Sequence, residues 1–285
     1  MAADIEPKNV PQWTRGEQAD GSVPFRLSSW SRFFDFLETE VFHPSTGSKQ
    51  SYIWRGQRNS KWSISSSLDR LLEKLGLLAN GPDEIKKTSD DLLDWFKYAS
   101  RGRRGLNPAS LSENEWWALG QHFGLATPLL DWTRSPFAAA YFAFEESAAD
   151  QTDYRVIYGL DQKAVTKKNE ELIQGPSEDF ERGPLPTIQF VDPMSDENQR
   201  LVSQGGLFTR APVGTPIERW VAQAFEGSSS PVLLRIEIPN SDRLTCLRTL
   251  NRMNINHLSL FPDLSGASRS TNLRLELESE GQEGI

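Results

Sequence analysis

The chain has 285 residues, 37% of them hydrophobic and 25% charged, which is enough to bury one large core or two small ones. Its formal net charge of −8 argues against a general affinity for nucleic acid or anionic membranes, although a local basic patch remains compatible with it. The single cysteine excludes an intramolecular disulfide, and with only three histidines no ligand pair has the spacing of a zinc site.

The N-terminal segment lacks the apolar core of a signal peptide, and no apolar run approaches the ~20 residues that cross a bilayer. These features predict a cytoplasmic protein with no membrane association and no metal. We expect residues 1–27 to form a flexible arm, residues 28–267 to fold as one domain, and residues 268–285 to form a frayed tail.

The first half of the chain predicts alternating helices and strands. Trp30, Phe33, Phe34 and Leu37 recur at helical intervals, so we expect a helix within residues 28–42. A strand begins at Ser51 and is expected to end near Arg55–Gly56–Gln57. Further helices are expected within 66–76, ended by Gly76, and within 81–100. The basic loop 101–110 follows, and its simplest interpretation is a solvated connection.

The second half opens with a capping box, because Ser112 and Glu115 have the S-x-x-E spacing that begins a helix. An extended segment 125–133 precedes a helix that Ser135 caps. Further strands are expected within 154–161, 187–193, 200–212 and 230–239, and a polar excursion over 162–187. A short helix is expected near 216–225, and a helix, a turn and a loop over 245–266. This order predicts an α+β fold, a single mixed domain with a central, mainly antiparallel sheet flanked by helices.

Arg55–Gly56–Gln57 is the first candidate site. Arginine keeps its charge and offers five donors in a fixed fork, which suits bidentate contact with phosphate or carboxylate. Glycine lets a ligand approach the backbone closely. A surface ion pair explains the arginine equally well.

The segment "GQHFGLATPLLDWTRSPFAAAYFA" (120–143) is the second candidate. It places polar side chains just before a helix start, where free N–H groups and positive partial charge attract anions. Asp131 either orients His122 by a hydrogen bond or caps the turn. A packed structural role remains the simpler interpretation of His122.

Two further segments carry polar groups beside glycine or proline. Gln204 precedes two glycines, which suits a bulge or a close backbone approach, or else a hairpin end. In "NINHLSLFPDLSG" (254–266), Asp263 either serves a site or caps a turn, and His257 is as consistent with structure as with function.

Several enzyme classes lack their sequence signatures here. The chain contains no GxxxxGK[ST] phosphate loop, no GxGxxG after a strand and no GxSxG elbow. Cys246 has no positional sign of activation, so a cysteine nucleophile is not expected. A magnesium nuclease using Asp131 and Asp263 is disfavoured because the acidic residues lack metal-ligand spacing.

Taken in order, these segments resemble the FRG domain, a bacterial and phage family named for a Phe/Tyr-Arg-Gly signature. The signature here is Trp54–Arg55–Gly56, with tryptophan in place of the aromatic residue of the family name. "SLDR", "QHFGLATPLLDWTRSPFAAAYFA", "QGGLFT" and "LFPDLSG" complete the resemblance, which covers roughly residues 28–267.

The same segments are also similar to the three ordered motifs of ADP-ribosyltransferases. Arg55 matches the first-strand arginine, "LDWTRSPFAAAYFA" the strand before an alanine-rich helix, and Gln204 the later-strand residue. This resemblance implies an ADP-ribosyltransferase-like split sheet and NAD as the substrate. It implies Arg55, Asp131 and Gln204 as catalytic residues, and as dinucleotide-binding residues Arg55, Gly56, Gln57, His122, Thr127 and Thr133.

Gln204 departs from the carboxylate that such chemistry favours, because an amide neither stabilises a cation strongly nor acts as a base. Two hypotheses therefore stay open. The first is an NAD-consuming transferase or glycohydrolase, acting as a toxin or antiphage effector on a protein or nucleic-acid acceptor that the sequence does not identify. The second is a non-catalytic module of the same fold that binds a nucleotide or a protein.

Overall fold

The structure, a computed structural model, describes residues 12–42, 51–147, 152–174, 187–192 and 204–279. Within these ranges the chain forms one eight-stranded mixed sheet with helices packed against it, so the predicted α+β class is confirmed. No helix in the described ranges combines the length and the apolar character needed to cross a bilayer.

The strands are β1 (Trp13–Arg15), β2 (Ser22–Leu27), β3 (Tyr52–Gln57), β4 (Leu129–Thr133), β5 (Tyr154–Asp161), β6 (Gln189–Val191), β7 (Gly206–Arg210) and β8 (Leu233–Pro239). Their order across the sheet is β1-β2-β8-β5-β3-β4-β7-β6. Each neighbouring pair runs antiparallel except β2 and β8, which are parallel. The mainly antiparallel sheet expected from the sequence is therefore present.

The helices are α1 (Phe33–Phe36), α2 (Ser67–Lys74), α3 (Pro82–Ala99), α4 (Glu113–His122), α5 (Pro136–Phe144), α6 (Gln162–Gln174), α7 (Ile217–Ala224), α8 (Arg243–Arg252), α9 (His257–Leu260) and α10 (Leu264–Ser279). The turns Trp30–Arg32 and Leu37–Val41 extend α1 on both sides. The capping box predicted at Ser112 and Glu115 is present, and Ser66 and Asp69 form a second capping box at the start of α2.

The sheet is nearly divided between β3 and β4. These strands share a single register pair, Trp54 with Thr133, whereas β3 and β5 share six pairs and β4 and β7 share five. Five strands therefore lie on one side of this junction and three on the other. A cleft opens where β3 and β4 separate beyond Trp54.

Helix α5 packs directly on the backbone of β3, and Gly56 makes this possible. A Cβ atom at Gly56 would lie 1.9 Å from the Ala139 carbonyl oxygen and 2.7 Å from the Ala143 nitrogen. The alanine-rich sequence of α5 allows the same close approach from the other side. The strand passes through Gly56 and ends at Gln57, within the segment where its end was expected.

Three segments differ from the sequence expectations. Residues 13–27, assigned to a flexible arm, contribute β1 and β2 to the sheet, because Val23, Phe25 and Leu27 alternate inward into the core. The polar excursion begins with helix α6, anchored by buried Val165, while residues 175–186 lie outside the described residues. The tail continues as α10, which an ion pair between Arg243 and Glu276 ties to α8.

Candidate functional site

The cleft between β3 and β4 is a cavity of about 350 Å³. Its walls are Trp54, Arg55, Gly56, Asp131, Trp132, Thr133, Phe142, Glu145, Gln204 and Phe261. An adjoining hollow of about 250 Å³ shares Asp131, Trp132, Gln204 and Phe261 with the cleft and adds Gln121 and His122. The structure thus brings together the three residues predicted as catalytic, Arg55, Asp131 and Gln204, from three different strands and loops.

Arg55 bridges the separating strands, because its Nη1 donates to the backbone oxygen of Asp131 at 2.7 Å. Its Nε is buried, and no acceptor in the described part of the chain lies within hydrogen-bond distance of it. Part of the side chain reaches the cleft, yet the dense protein around the guanidinium lowers the pKa of Arg55, an effect that the nearby Asp131 charge opposes. A guanidinium with an unused N–H donor can bind an anionic ligand.

Asp131 is held by a chain of polar contacts that the sequence did not reveal. Gln121 Nε2 donates to Asp131 Oδ1 at 2.8 Å, and Gln121 Oε1 accepts a hydrogen bond from buried Thr127 at 2.5 Å. The hydrogen-bond partner of the Asp131 side chain is therefore Gln121, and not His122, which the sequence analysis had considered. Asp131 is exposed to the cleft, but the dense protein around its carboxylate raises the pKa of Asp131, and Arg55 and Gln121 oppose this shift.

Thr133 and Gln204 fix the junction between the two halves of the sheet. Thr133 Oγ1 donates to the Gln204 carbonyl oxygen at 2.6 Å and accepts a hydrogen bond from the Ser135 N–H. The Gln204 side chain enters the cleft, where its Nε2 donates to the Leu260 carbonyl oxygen at 3.2 Å. Both hydroxyl functions of Thr133 thus serve the fold, whereas the Gln204 side chain contributes to the lining of the cleft.

Of the remaining residues predicted to bind a ligand, His122 and Gly56 line the cavities, whereas Gln57 and Thr127 do not. His122 lines the adjoining hollow, is exposed and packs edge-on against Phe123. Gln57 and Thr127 are buried outside the cleft, where Gln57 donates to the Ser63 carbonyl and Thr127 holds Gln121. Gly56 lines the cleft, but its lack of a side chain is explained by α5 rather than by a ligand.

Helix α5 meets the cleft through its C-terminal end. The anion site expected at its N-terminus is instead occupied by Ser135, whose hydroxyl accepts from the Ala138 N–H. Phe142 and Glu145, one turn apart, reach the cleft from the last turn of α5 and the residue after it. No periodic pattern marks Glu145, because it lies just past the end of the apolar helix.

Glu145 is the titratable group that the sequence analysis missed. It lies between the cleft and a second cavity of about 370 Å³. Burial raises the pKa of Glu145 to about 7, although the positive charges of Arg269 and Arg58 oppose the shift. Its Oε2 lies 3.4 Å from Nδ1 of buried His257. A carboxyl group with this pKa can exchange protons at neutral pH.

His257 belongs to a buried network behind Glu145. Its Nδ1 lies 2.8 Å from the Tyr141 hydroxyl, and its ring stacks on Phe261 with centroids 4.3 Å apart. Burial, the largest influence, and the charge of Glu145 both raise the pKa of Tyr141. His257 is therefore a buried, packed residue, which agrees with the structural role considered for it. It also contributes to the environment of the Glu145 carboxyl group.

Two buried arginines satisfy the carbonyl groups at the end of α5. Arg155 Nη1 donates to the Ala143 oxygen at 2.6 Å, and Arg243 donates to the oxygens of Phe144 and Glu145. Cations suit a helix C-terminus, where partial negative charge accumulates. Burial, reinforced by the charge of Arg243, lowers the pKa of Arg155 to about 10.

Asp263 lies outside the cleft lining and caps α10. Its Oδ1 accepts hydrogen bonds from the Gly266 N–H at 2.9 Å and from the Ser265 hydroxyl at 2.6 Å. Among the described residues, no three His, Cys, Asp or Glu side chains come together as metal ligands would.

The fold and the cleft define an α+β protein whose single sheet is nearly divided at a polar cavity. Residues 50–152 match the family model of the FRG domain, the family that the sequence motifs resemble. The match includes the Trp54–Arg55–Gly56 signature and the segment 120–143, whereas QGGLFT and LFPDLSG lie outside it. Comparisons with curated proteins and with solved structures gave no match. Of the strands that the structure describes, β3 and β4 lie in the matched range, whereas their main partners β5 and β7 lie beyond it. The folded unit is therefore larger than the match.

Proposed function

We propose that the cleft binds NAD and cleaves its nicotinamide–ribose bond, with transfer of ADP-ribose to an acceptor or to water. The observation that carries the proposal is the convergence of Arg55, Asp131, Glu145 and Gln204 on one cavity where the sheet divides. The volume suits one nucleoside half of a dinucleotide, and the adjoining hollow offers room for more of the ligand.

Arg55 is the natural partner of the NAD pyrophosphate. Its buried Nε has no protein acceptor among the described residues, and a phosphate oxygen would satisfy this donor. Gln204 offers its amide to the ribose hydroxyls. Phe142 and Phe261, whose rings meet edge to face at 6.0 Å, provide an aromatic wall for the nicotinamide.

The reaction breaks the bond between the ribose C1′ and the nicotinamide nitrogen. The bonding electrons leave with nicotinamide, which departs neutral, and the ribose acquires oxocarbenium character. An acceptor or water then forms the new bond at C1′ and gives up a proton. Carboxylates near C1′ stabilise the positive charge and can take that proton.

Glu145 supplies the carboxylate that Gln204 lacks. With a pKa of about 7 it is partly ionised at neutral pH, so it can act as the base toward the acceptor. Asp131 contributes a second carboxylate to the lining of the cleft. Consumption of NAD would also account for a role as a toxin or antiphage effector, which we include in the proposal.

A non-catalytic binding module is the second candidate. Arg55, Thr133 and Gln204 already make hydrogen bonds within the protein, which favours this alternative. Groups held in this way can bind a ligand without taking part in a reaction. Under this alternative the cleft recognises a nucleotide or a protein, and Glu145 has no role in turnover.

Release of nicotinamide from NAD by the purified protein separates the two candidates. We expect release by the wild type, a loss of at least tenfold in Glu145→Gln, and a larger loss in Arg55→Ala. Gly81→Ala is the control, because a Cβ there meets open space at the exposed start of α3. NAD binding without release, measured with candidate acceptors present, would favour the binding module. Release that persists in both cleft variants would refute the site.

A further inference from the structure

A second polar and aromatic surface lies at the C-terminal end of α3 and in the loop that follows it. Trp95 and Tyr98 are 67% and 68% exposed and lie three residues apart, so they share one face of the helix. Together with Arg101, Arg103 and Arg104 they form a surface that we name the Trp95–Arg104 patch.

The charge of this patch opposes that of the whole chain. Residues 95–112 contain Lys97 and three arginines but no aspartate or glutamate, whereas the complete chain carries −8. The nearest carboxylates in the sequence are Asp94 and Glu113, on either side of this stretch. Such a local concentration of cations on an acidic protein indicates a surface for a polyanion.

The arginines keep their charge available because their contacts in the protein are with neutral groups. Arg103 Nη1 donates to the Ala99 carbonyl oxygen at 2.7 Å, and Arg104 Nη2 donates to the Ala109 oxygen at 2.9 Å. The Arg101 guanidinium lies 4.3 Å from the centre of the Tyr98 ring. Within the described residues, none of the three arginines forms an ion pair, whereas Lys97 pairs with Asp94.

Capping of α3 accounts for only part of this arrangement. Arg103 does satisfy a carbonyl at the end of the helix, and Arg104 packs over Trp116 at 4.7 Å. Neither contact explains two large aromatic rings left open to solvent. Exposed aromatics beside unpaired arginines are the combination that binds unpaired bases and their phosphates.

We propose that the Trp95–Arg104 patch binds single-stranded nucleic acid. Bases stack on Trp95 and Tyr98, and Arg101, Arg103 and Arg104 contact the phosphates. A duplex keeps its bases stacked on one another, so it offers the two aromatic rings no free partner. The proposal is independent of NAD cleavage, because the patch and the cleft share no residues.

Fluorescence anisotropy of labelled 20-mers tests the proposal with the full chain and no NAD. Oligo-dT and oligo-U are compared with a duplex of equal length and with vesicles of anionic lipid. The variants are Trp95→Ala and the double variant Arg101→Ala/Arg103→Ala. Phe34→Ala and Arg219→Ala/Arg252→Ala are the matched controls, since these side chains are exposed elsewhere on the protein.

We expect single strands to bind more tightly than the duplex, with about a tenfold loss in Trp95→Ala and none in Phe34→Ala. The slope of log affinity against log salt should fall by about 1.4 in the double arginine variant, given ~0.7 per lost phosphate contact, and stay constant in its control. Equal affinity for duplex, binding only to vesicles, absence of binding at 50 mM salt, or equal loss in the control variants would overturn the proposal.

Discussion

Glu145 gives the stability of the protein a pH dependence that a single substitution can isolate. Tyr141 and His257 contact or adjoin its carboxyl group, and Arg58 and Arg269 act on it through their charges. Replacement by glutamine keeps the shape of the side chain but removes its titration. The perturbation is therefore Glu145→Gln, compared with the wild type over a range of pH.

The magnitude follows from two pKa values. The glutamate pKa is 4.5 in the unfolded chain and about 7 in the folded protein. Between these values the folded state retains a proton that the unfolded state has lost, so stability falls as pH rises. At 1.36 kcal/mol per pH unit the whole effect is about 3 kcal/mol, of which ~2.5 kcal/mol falls between pH 5 and 8.

Urea unfolding at pH 5, 6, 7 and 8 and constant ionic strength provides the measurement. We expect the free energy of unfolding of the wild type, relative to Glu145→Gln, to decrease by about 2.5 kcal/mol over this range and to level off above pH 8. A constant difference in the free energy of unfolding between the two proteins from pH 5 to 8 would show that Glu145 has an ordinary pKa. It would contradict the raised pKa on which the proposed role of Glu145 as the base rests.

Three further substitutions test the fold. Gly56→Ala should destabilise the protein by about 3 kcal/mol or prevent folding, because its Cβ meets the backbone of α5, whereas Gly81→Ala meets open space; equal melting temperatures would contradict this. Ser112→Ala should cost about 1 kcal/mol in urea unfolding through loss of the capping box, and no change would refute the cap. Arg155→Met should cost about 2 kcal/mol by leaving the Ala143 oxygen unsatisfied, and unaltered stability would dismiss its role.

Local sequence signals identified most of the fold correctly. Ser66 and Ser112 cap helices because their side-chain chemistry acts within three residues, and the alternation in residues 230–239 reflects β8 directly. The part of residues 1–27 that forms β1 and β2 was missed because these strands are short and polar outside their core face. The pairing of β2 with β8, more than 200 residues later in the chain, leaves no local trace in the sequence.

The candidate site was predictable in its residues but not in its contacts. Arg55, Asp131 and Gln204 were found by motif order, and the structure places them around one cavity. The link from Thr127 through Gln121 to Asp131 depends on side-chain directions that spacing alone does not fix. Glu145 was missed because its pKa arises from burial beneath residues distant in sequence, and Gly56 was misinterpreted because a glycine demanded by packing is indistinguishable from one demanded by a ligand.

The decisive test of NAD binding in the cleft is a crystal structure with a hydrolysis-resistant NAD analogue, in which a methylene group replaces the oxygen of the nicotinamide ribose ring. We expect the pyrophosphate within hydrogen-bond distance of Arg55 and the nicotinamide ribose between Glu145 and Gln204. An analogue bound elsewhere on the protein, or a cleft left empty at saturating ligand, would contradict it.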